Sequence, residues 1–251
     1  MTSPGIPVEI CIACDDLETT QSSVLAAFAA GASRIELCSE MALHGLTPAE
    51  THIAVAHRIF KERRGVLAMI RPRPGDFDYT RAEIAVMLRQ IDMAHHAGAD
   101  GVVLGALKHH RIDAIAVKSL VDLSKEKGLA VTFHRAFDAA ADPIAALETC
   151  IELGVDRILS SGTSWQAGGT ALDGLDNLRE YLARAANRIE IVIAGGVCIG
   201  NAAALLRALP VKSAKMSLHS YSGVRLNGKT DSRLVSELVR KANSAPAANP
   251  D

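Results

Sequence analysis

Short apolar runs rich in valine and isoleucine recur along the chain, each followed by a longer segment with the 3.6-residue period of an amphipathic helix. The runs are VEICIAC (8–14), RIELCS (34–39), VLAMIR (66–71), GVVLGAL (101–107), AVTFHR (130–135), RILSSG (157–162), EIVIAGG (190–196) and SAKMSLHS (213–220). Runs this apolar suit parallel strands covered by helices. Helix punctuation agrees. Thr47-Pro48-Ala49-Glu50 offers a cap, a proline at the first helical position and a following glutamate. Thr80 and Glu83 repeat the capping-box spacing, and Asp142-Pro143 opens another helix. Glycines 31, 98, 128 and 154 stand where helices should stop.

One phrase returns three times: GASRIELC (31–38), GADGVVLG (98–105) and GVDRILSS (154–161), ahead of the second, fourth and sixth strands. Duplicated βα pairs explain it. Eight strands alternating with helices predict an α/β fold with one (β/α)8 barrel. The barrel covers about residues 8–243 of a single domain, 1–251, with a frayed Pro/Ala-rich tail at 244–251. An open doubly wound sheet is the competing arrangement, though it calls for no such even repetition.

Alternation along a strand assigns faces. Val8, Ile10 and Ile12 should meet the helices, which turns Glu9, Cys11 and Ala13 inward. Ile35 and Leu37 likewise face out, leaving Glu36 and Cys38 inside. Met69, Arg71, Thr132 and His134 take inner positions on strands three and five, and the repeats set Gly105 and Ser161 level with Cys38. A barrel interior holding Glu9, Cys11, Glu36, Cys38, Arg71, Thr132 and His134 is expensive unless these groups pair or do chemistry. Active sites of such barrels lie at the carboxyl ends of the strands, where several of them fall. Alone, a Glu36–Arg71 pair or a strand-end His134 has an ordinary structural explanation. Their convergence on one face favours a site. Arg135 and Asp138 lie just past strand five, where a rim ion pair is as good a reading as catalysis.

Composition narrows the field. A chain of 251 residues, 49% hydrophobic, can bury a substantial core. A net charge of −1 gives no footprint for nucleic acid or an anionic membrane. No apolar run is long enough to span a bilayer, and MTSPGIPVEI lacks the basic and apolar regions of a signal peptide, which predicts a cytoplasmic protein. Its five cysteines should then be reduced thiols.

Cys11 and Cys14 form a CxxC spacing, but positions three apart on a strand face opposite ways, so a shared metal or disulfide is not expected. Cys11 and Cys38, inward on adjacent strands, are the better pair, and paired thiolates select Cu(I). Both could equally pack as small hydrophobes. Ala194-Gly195-Gly196-Val197 resembles the glycine turns that hold phosphate on backbone N–H groups, though a tight turn explains it as well. The loop SGTSWQAGGTALDG (161–174), with the only tryptophan, Trp165, could close over a ligand.

VEICIAC, RIELC followed by HGLTP, MIRPRPGDFDYT, VTFHRAFD and LGVDRILSSG, in this order, resemble the CutC family, named for copper homeostasis. The resemblance runs from about residue 8 to residue 220. It implies a cytoplasmic TIM barrel, dimeric or tetrameric, that binds copper, with Cys11 and Cys38 matching the two proposed Cu(I) ligands. The chain departs from the family pattern at three places. His44 replaces a usual glycine, SWQAGG lengthens the strand-six loop, and Lys215 takes the position of an inward histidine on strand eight, where it could anchor a substrate or form a Schiff base. Two functions remain open. One is Cu(I) binding at Cys11 and Cys38. The other is an enzyme for a small anionic, sugar-like or phosphorylated substrate. In that reading Arg71 and Arg73 hold the anion, Glu9 or Glu36 and His134 act as acid and base, and Thr132, Ser161, Gly195, Gly196 and Lys215 bind substrate. The alternative use of Glu9, Glu36 and His134 is as ligands of a divalent cation.

Overall fold

The computed structural model describes residues 5–60, 63–211 and 213–244. The last residues of the tail expected to fray, 245–251, lie outside them. Eight parallel strands close in sequence order into a barrel: β1 (Val8–Ala13), β2 (Arg34–Cys38), β3 (Val66–Met69), β4 (Gly101–Leu104), β5 (Ala130–Phe133), β6 (Arg157–Ser160), β7 (Glu190–Ile193) and β8 (Met216–Ser220). β1 pairs with both β2 and β8, which leaves the sheet no edge. An open sheet is excluded.

The outward residues do what alternation predicts. Ile10, Ile12, Ile35 and Leu37 join one large apolar cluster with the helices. Inside the barrel stand two smaller apolar clusters, one around Cys11, Cys38, Leu67, Met69 and Val103, the other Leu159, Val192 and Ala194. Cys14 belongs to the outer cluster and Cys11 to an inner one, as expected of positions three apart on a strand.

The thrice-repeated phrase has a physical use. Its third residue, Ser33, Asp100 or Asp156, accepts a hydrogen bond from a backbone N–H near the start of the preceding strand: Val8 (3.2 Å), Val66 (3.1 Å) and Val131 (2.6 Å). Each helix-to-strand turn thus stitches an even strand to the odd strand before it. Thr80 and Glu83 make the expected capping box of the helix Arg81–His96, and Asp142 caps Pro143–Glu152. The helix after β2 differs from expectation. It starts at Glu50, not at Pro48, because the Thr47 hydroxyl is taken by Arg71, accepting its backbone N–H at 2.8 Å. Strand eight also starts late, at Met216, so Lys215 precedes it and lies exposed at the amino end of the barrel.

Candidate functional site

The charged interior is built in two tiers. In the lower tier Arg34, the first residue of β2, crosses the barrel. Its Nε donates to Glu9 Oε2 at 2.9 Å and its Nη2 to Glu190 Oε1 at 2.8 Å and to the Ser217 hydroxyl at 2.7 Å. Arg157 Nε donates to the Thr132 hydroxyl at 2.9 Å. Two guanidinium and two carboxylate groups balance here, which makes so much buried charge tolerable. Glu9 and Thr132 therefore belong to this tier. Neither reaches the cavity above.

The upper tier opens into a cavity of about 290 Å³ at the carboxyl end of the strands. Among its walls are Cys11, Glu36, Cys38, Met41, Arg71, His134 and His219, with Gly195 and Gly196 opposite. His219 joins the tiers. Its Nδ1 lies 2.9 Å from Glu9 Oε1 and its Nε2 lies 3.6 Å from Glu36 Oε2. A sulfur of Cys11, an oxygen of Glu36 and a nitrogen of His219 come within 4.8 Å of one another. The inward histidine of strand eight is thus His219, not Lys215. Both share the inward parity, but the strand begins after the lysine. The divalent set of Glu9, Glu36 and His134 is not assembled either, because Glu9 is spent on Arg34 and His219.

Charge states follow from this packing. Burial would raise the Glu9 carboxyl, but the Arg34 guanidinium and the His219 hydrogen bond overcome it and lower it to about 2. The Cys38 thiol donating to Cys11, and His219 beside it, outweigh burial and bring Cys11 down to about 6. Cys38 is correspondingly raised well above the ordinary thiol value by that same bond and by burial. Burial opposes charge on His219, yet Cys11, Glu9 and Glu36 raise it well above an ordinary imidazole. Burial and the charge on Cys11 hold Glu36 protonated well past the usual carboxylate range. These contacts favour negative charge on Cys11 and positive charge on His219, and disfavour charge on Cys38 and Glu36.

His134 is different. Burial, then repulsion from Arg71, depresses it to about 3, so it is neutral at physiological pH. Its Nδ1 accepts the Ala136 N–H at 3.1 Å, which places the ring proton on Nε2. In this arrangement His134 offers the cavity a hydrogen-bond donor at Nε2. Room for its ring comes from Gly105, where any Cβ would stand 2.7 Å from it.

Arg71 also departs from its expected part. Its Nη1 donates to the carbonyls of Leu43 (2.9 Å), His44 (3.3 Å) and Gly45 (3.2 Å), and its Nη2 to that of Gly75 (2.8 Å). Most of its donors clamp loops, leaving Nε for a ligand. Arg73 faces away from the cavity, bound to Asp76 and Glu83. Ser161 supports the wall through Asp138 (3.0 Å) and Arg135 (2.7 Å) and does not line it. Asp138 also receives Arg135 Nε at 2.8 Å, so that pair braces the rim. Above, Trp165 meets His44 and Phe77 edge-on, at ring separations of 5.2 and 5.4 Å. Two of the three departures from the family pattern, His44 and the SWQAGG loop, thus meet over the cavity.

Sequence reasoning missed Arg34, Arg157, Glu190, Ser217, His219 and Met41. The first two lie at an even spacing before residues already placed inside, Glu36 and Ser161, so period two reached them. Met41 sits in a loop and carried no such signal.

The sequence model of the CutC family matches residues 6–220. Proteins described as family protein CutC are 40% identical to the chain in Vibrio cholerae serotype O1, over 84% of this chain and 78% of that protein, and in Rhizobium meliloti, over 86% and 82%. The crystal structure of the putative copper homeostasis protein CutC from Streptococcus agalactiae superposes with a TM-score of 0.73 at 30% identity, covering 86% of this chain and 99% of that one. The chain belongs to the CutC family.

Proposed function

We propose that the chain binds Cu(I) as cargo, held by the thiolates of Cys11 and Cys38 within a reducing cytoplasm. One observation carries the reading. The two inward cysteines stand on the adjacent strands β1 and β2 and share one buried apolar pocket with Met69 inside the barrel. The residues fit a soft monovalent ion. Two sulfur donors are present, and Cu(I) binding would displace the Cys38 proton. The His219 imidazolium beside Cys11 offsets the negative charge that two thiolates bring. A related protein carries copper homeostasis in its description, which agrees with the reading.

The test is a competition titration against a chromophoric Cu(I) chelator under reducing conditions. Cys11→Ser with Cys38→Ser abolishes binding, while His134→Ala retains it, because thiolates dominate the Cu(I) affinity. A double-serine variant that binds as tightly as the parent contradicts the reading.

A second reading is supported by three orphaned atoms. Among the described residues, Glu36 Oε1, Arg71 Nε and His134 Nε2 are buried without a hydrogen-bond partner. All three residues line the cavity. Two N–H donors and a protonated carboxyl suit a small oxyanion, such as a sugar acid or sugar phosphate, with the Gly195–Gly196 turn as a further source of donors. In this reading acid–base work falls to Glu36 and His219. A thermal-shift screen of such anions, repeated on Arg71→Lys, decides whether they bind there.

A further inference from the structure

Between β2 and the following helix the chain forms a short 3₁₀ turn, Met41–Leu43, bracketed by residues in the left-handed region: Glu40 (φ 49°), His44 (φ 66°) and Gly45 (φ 83°). Glu40 and His44, non-glycine residues at positive φ, are costly there, and the turn must be held in place. Arg71 does so, donating to all three carbonyls of residues 43–45 from inside the barrel. Ser39 and Leu46 close the base of the loop through paired backbone hydrogen bonds of 3.0 and 2.8 Å. The loop is a fixed structure.

What the loop delivers is a sulfur. Met41 Sδ lies 3.9 Å from Cys11 Sγ. A Cβ at Gly45 would stand 3.4 Å from Cys38 Sγ and 3.6 Å from Met41 Sδ, so those two sulfurs are at most 7.0 Å apart, the sum of the two distances. Three sulfur atoms of two kinds thus face one small space. Both cysteines are buried, whereas Met41 is half-buried at the cavity mouth. A methionine thioether is soft, neutral and carried on a flexible stem, a donor suited to Cu(I) and poorly suited to hard cations.

We propose that Met41 is the third sulfur donor of the Cu(I) site, the solvent-side ligand that first meets the ion and then completes its coordination with Cys11 and Cys38. The assignment rests on the copper reading above. It makes the site selective for soft monovalent ions, because a neutral thioether adds softness without adding charge. The clamp of Arg71 on residues 43–45 is what keeps that thioether over the thiolates.

Two measurements on the full-length, reduced chain test it. In the parent carrying ¹³C-methyl methionine, one equivalent of Ag(I), a redox-inert probe for Cu(I), shifts the methyl resonance of Met41 and leaves that of Met69 in place. In the chelator competition, Met41→Leu, a swap of nearly equal volume, binds Cu(I) about tenfold more weakly, the scale on which supporting groups act at metal sites. Met87→Leu, a change in the outer core away from the cavity, binds as the parent does. A parent that binds Cu(I) while Met41→Leu is unchanged and the Met41 methyl does not move overturns this assignment alone. A Met69 shift in place of Met41 overturns it as well. A parent that binds no Cu(I) overturns the copper reading together with it.

Discussion

His134 and His219 face one cavity in opposite charge states, and their contacts explain why. His134 has no carboxylate neighbour to repay burial, and its Nδ1 is occupied by the Ala136 N–H, so it stays neutral. His219 lies between Glu9 and Glu36 and beside Cys11, which together favour the imidazolium. In a pH titration followed by histidine ring NMR signals, His134 therefore shows no inflection between pH 5 and 8. An inflection near the ordinary imidazole value would mean that burial and the Arg71 charge do not disfavour its protonation as described. This distinction was beyond period-two reasoning, which placed the His134 side chain inside but could not see a hydrogen bond made two residues later. His219 was missed for a different reason. The parity of strand eight was right, and its start was set too early by the residues before Met216, so the lysine four residues below took the histidine's part.

Elements meet in the lower tier, where β1, β2, β7 and β8 are tied through the single side chain of Arg34. Removing it as Arg34→Ala strands Glu9 and Glu190 in the interior. A loss of about 3–5 kcal/mol in urea unfolding is expected, the usual cost of breaking a buried pair. The same network sets an acid limb. Glu9 falls from an ordinary 4.5 to about 2 on folding. Its stabilisation, on the order of 3 kcal/mol, is therefore complete above pH 4.5 and is lost as pH falls toward 2. Glu9→Gln lowers stability at neutral pH and flattens the decline between pH 4.5 and 3. An unchanged acid limb in that variant would show that other carboxylates carry it. The even register of the repeated GAS, GAD and GVD turns made the strand order readable, because each one fastens a pair of neighbouring strands. The loops were less readable. The segment between β2 and its helix owes its shape to Arg71, 26 to 28 residues downstream of the carbonyls it holds, and no local pattern announces such a clamp.

At the scale of the molecule, eight strands and their outer helices supply a rigid frame, and the inner face is divided between a charged floor and a sulfur-lined mouth. The barrel, the outward core and the positions of Glu9, Cys11, Glu36, Cys38 and His134 were legible because they depend on alternation alone. The roles of the inward groups were less so, since they depend on which charges meet across the barrel. Among the described residues no helix is long and apolar enough to cross a membrane. The central claim is that soft sulfur ligands, and not the polar groups of the cavity, define what this barrel holds. X-ray absorption at the copper edge of the reduced chain loaded with one equivalent of Cu(I) tests that claim most directly. A coordination shell composed of sulfur in the parent, with no copper retained by Cys11→Ser with Cys38→Ser, is the predicted result. A shell of nitrogen and oxygen atoms that survives the double substitution would contradict it.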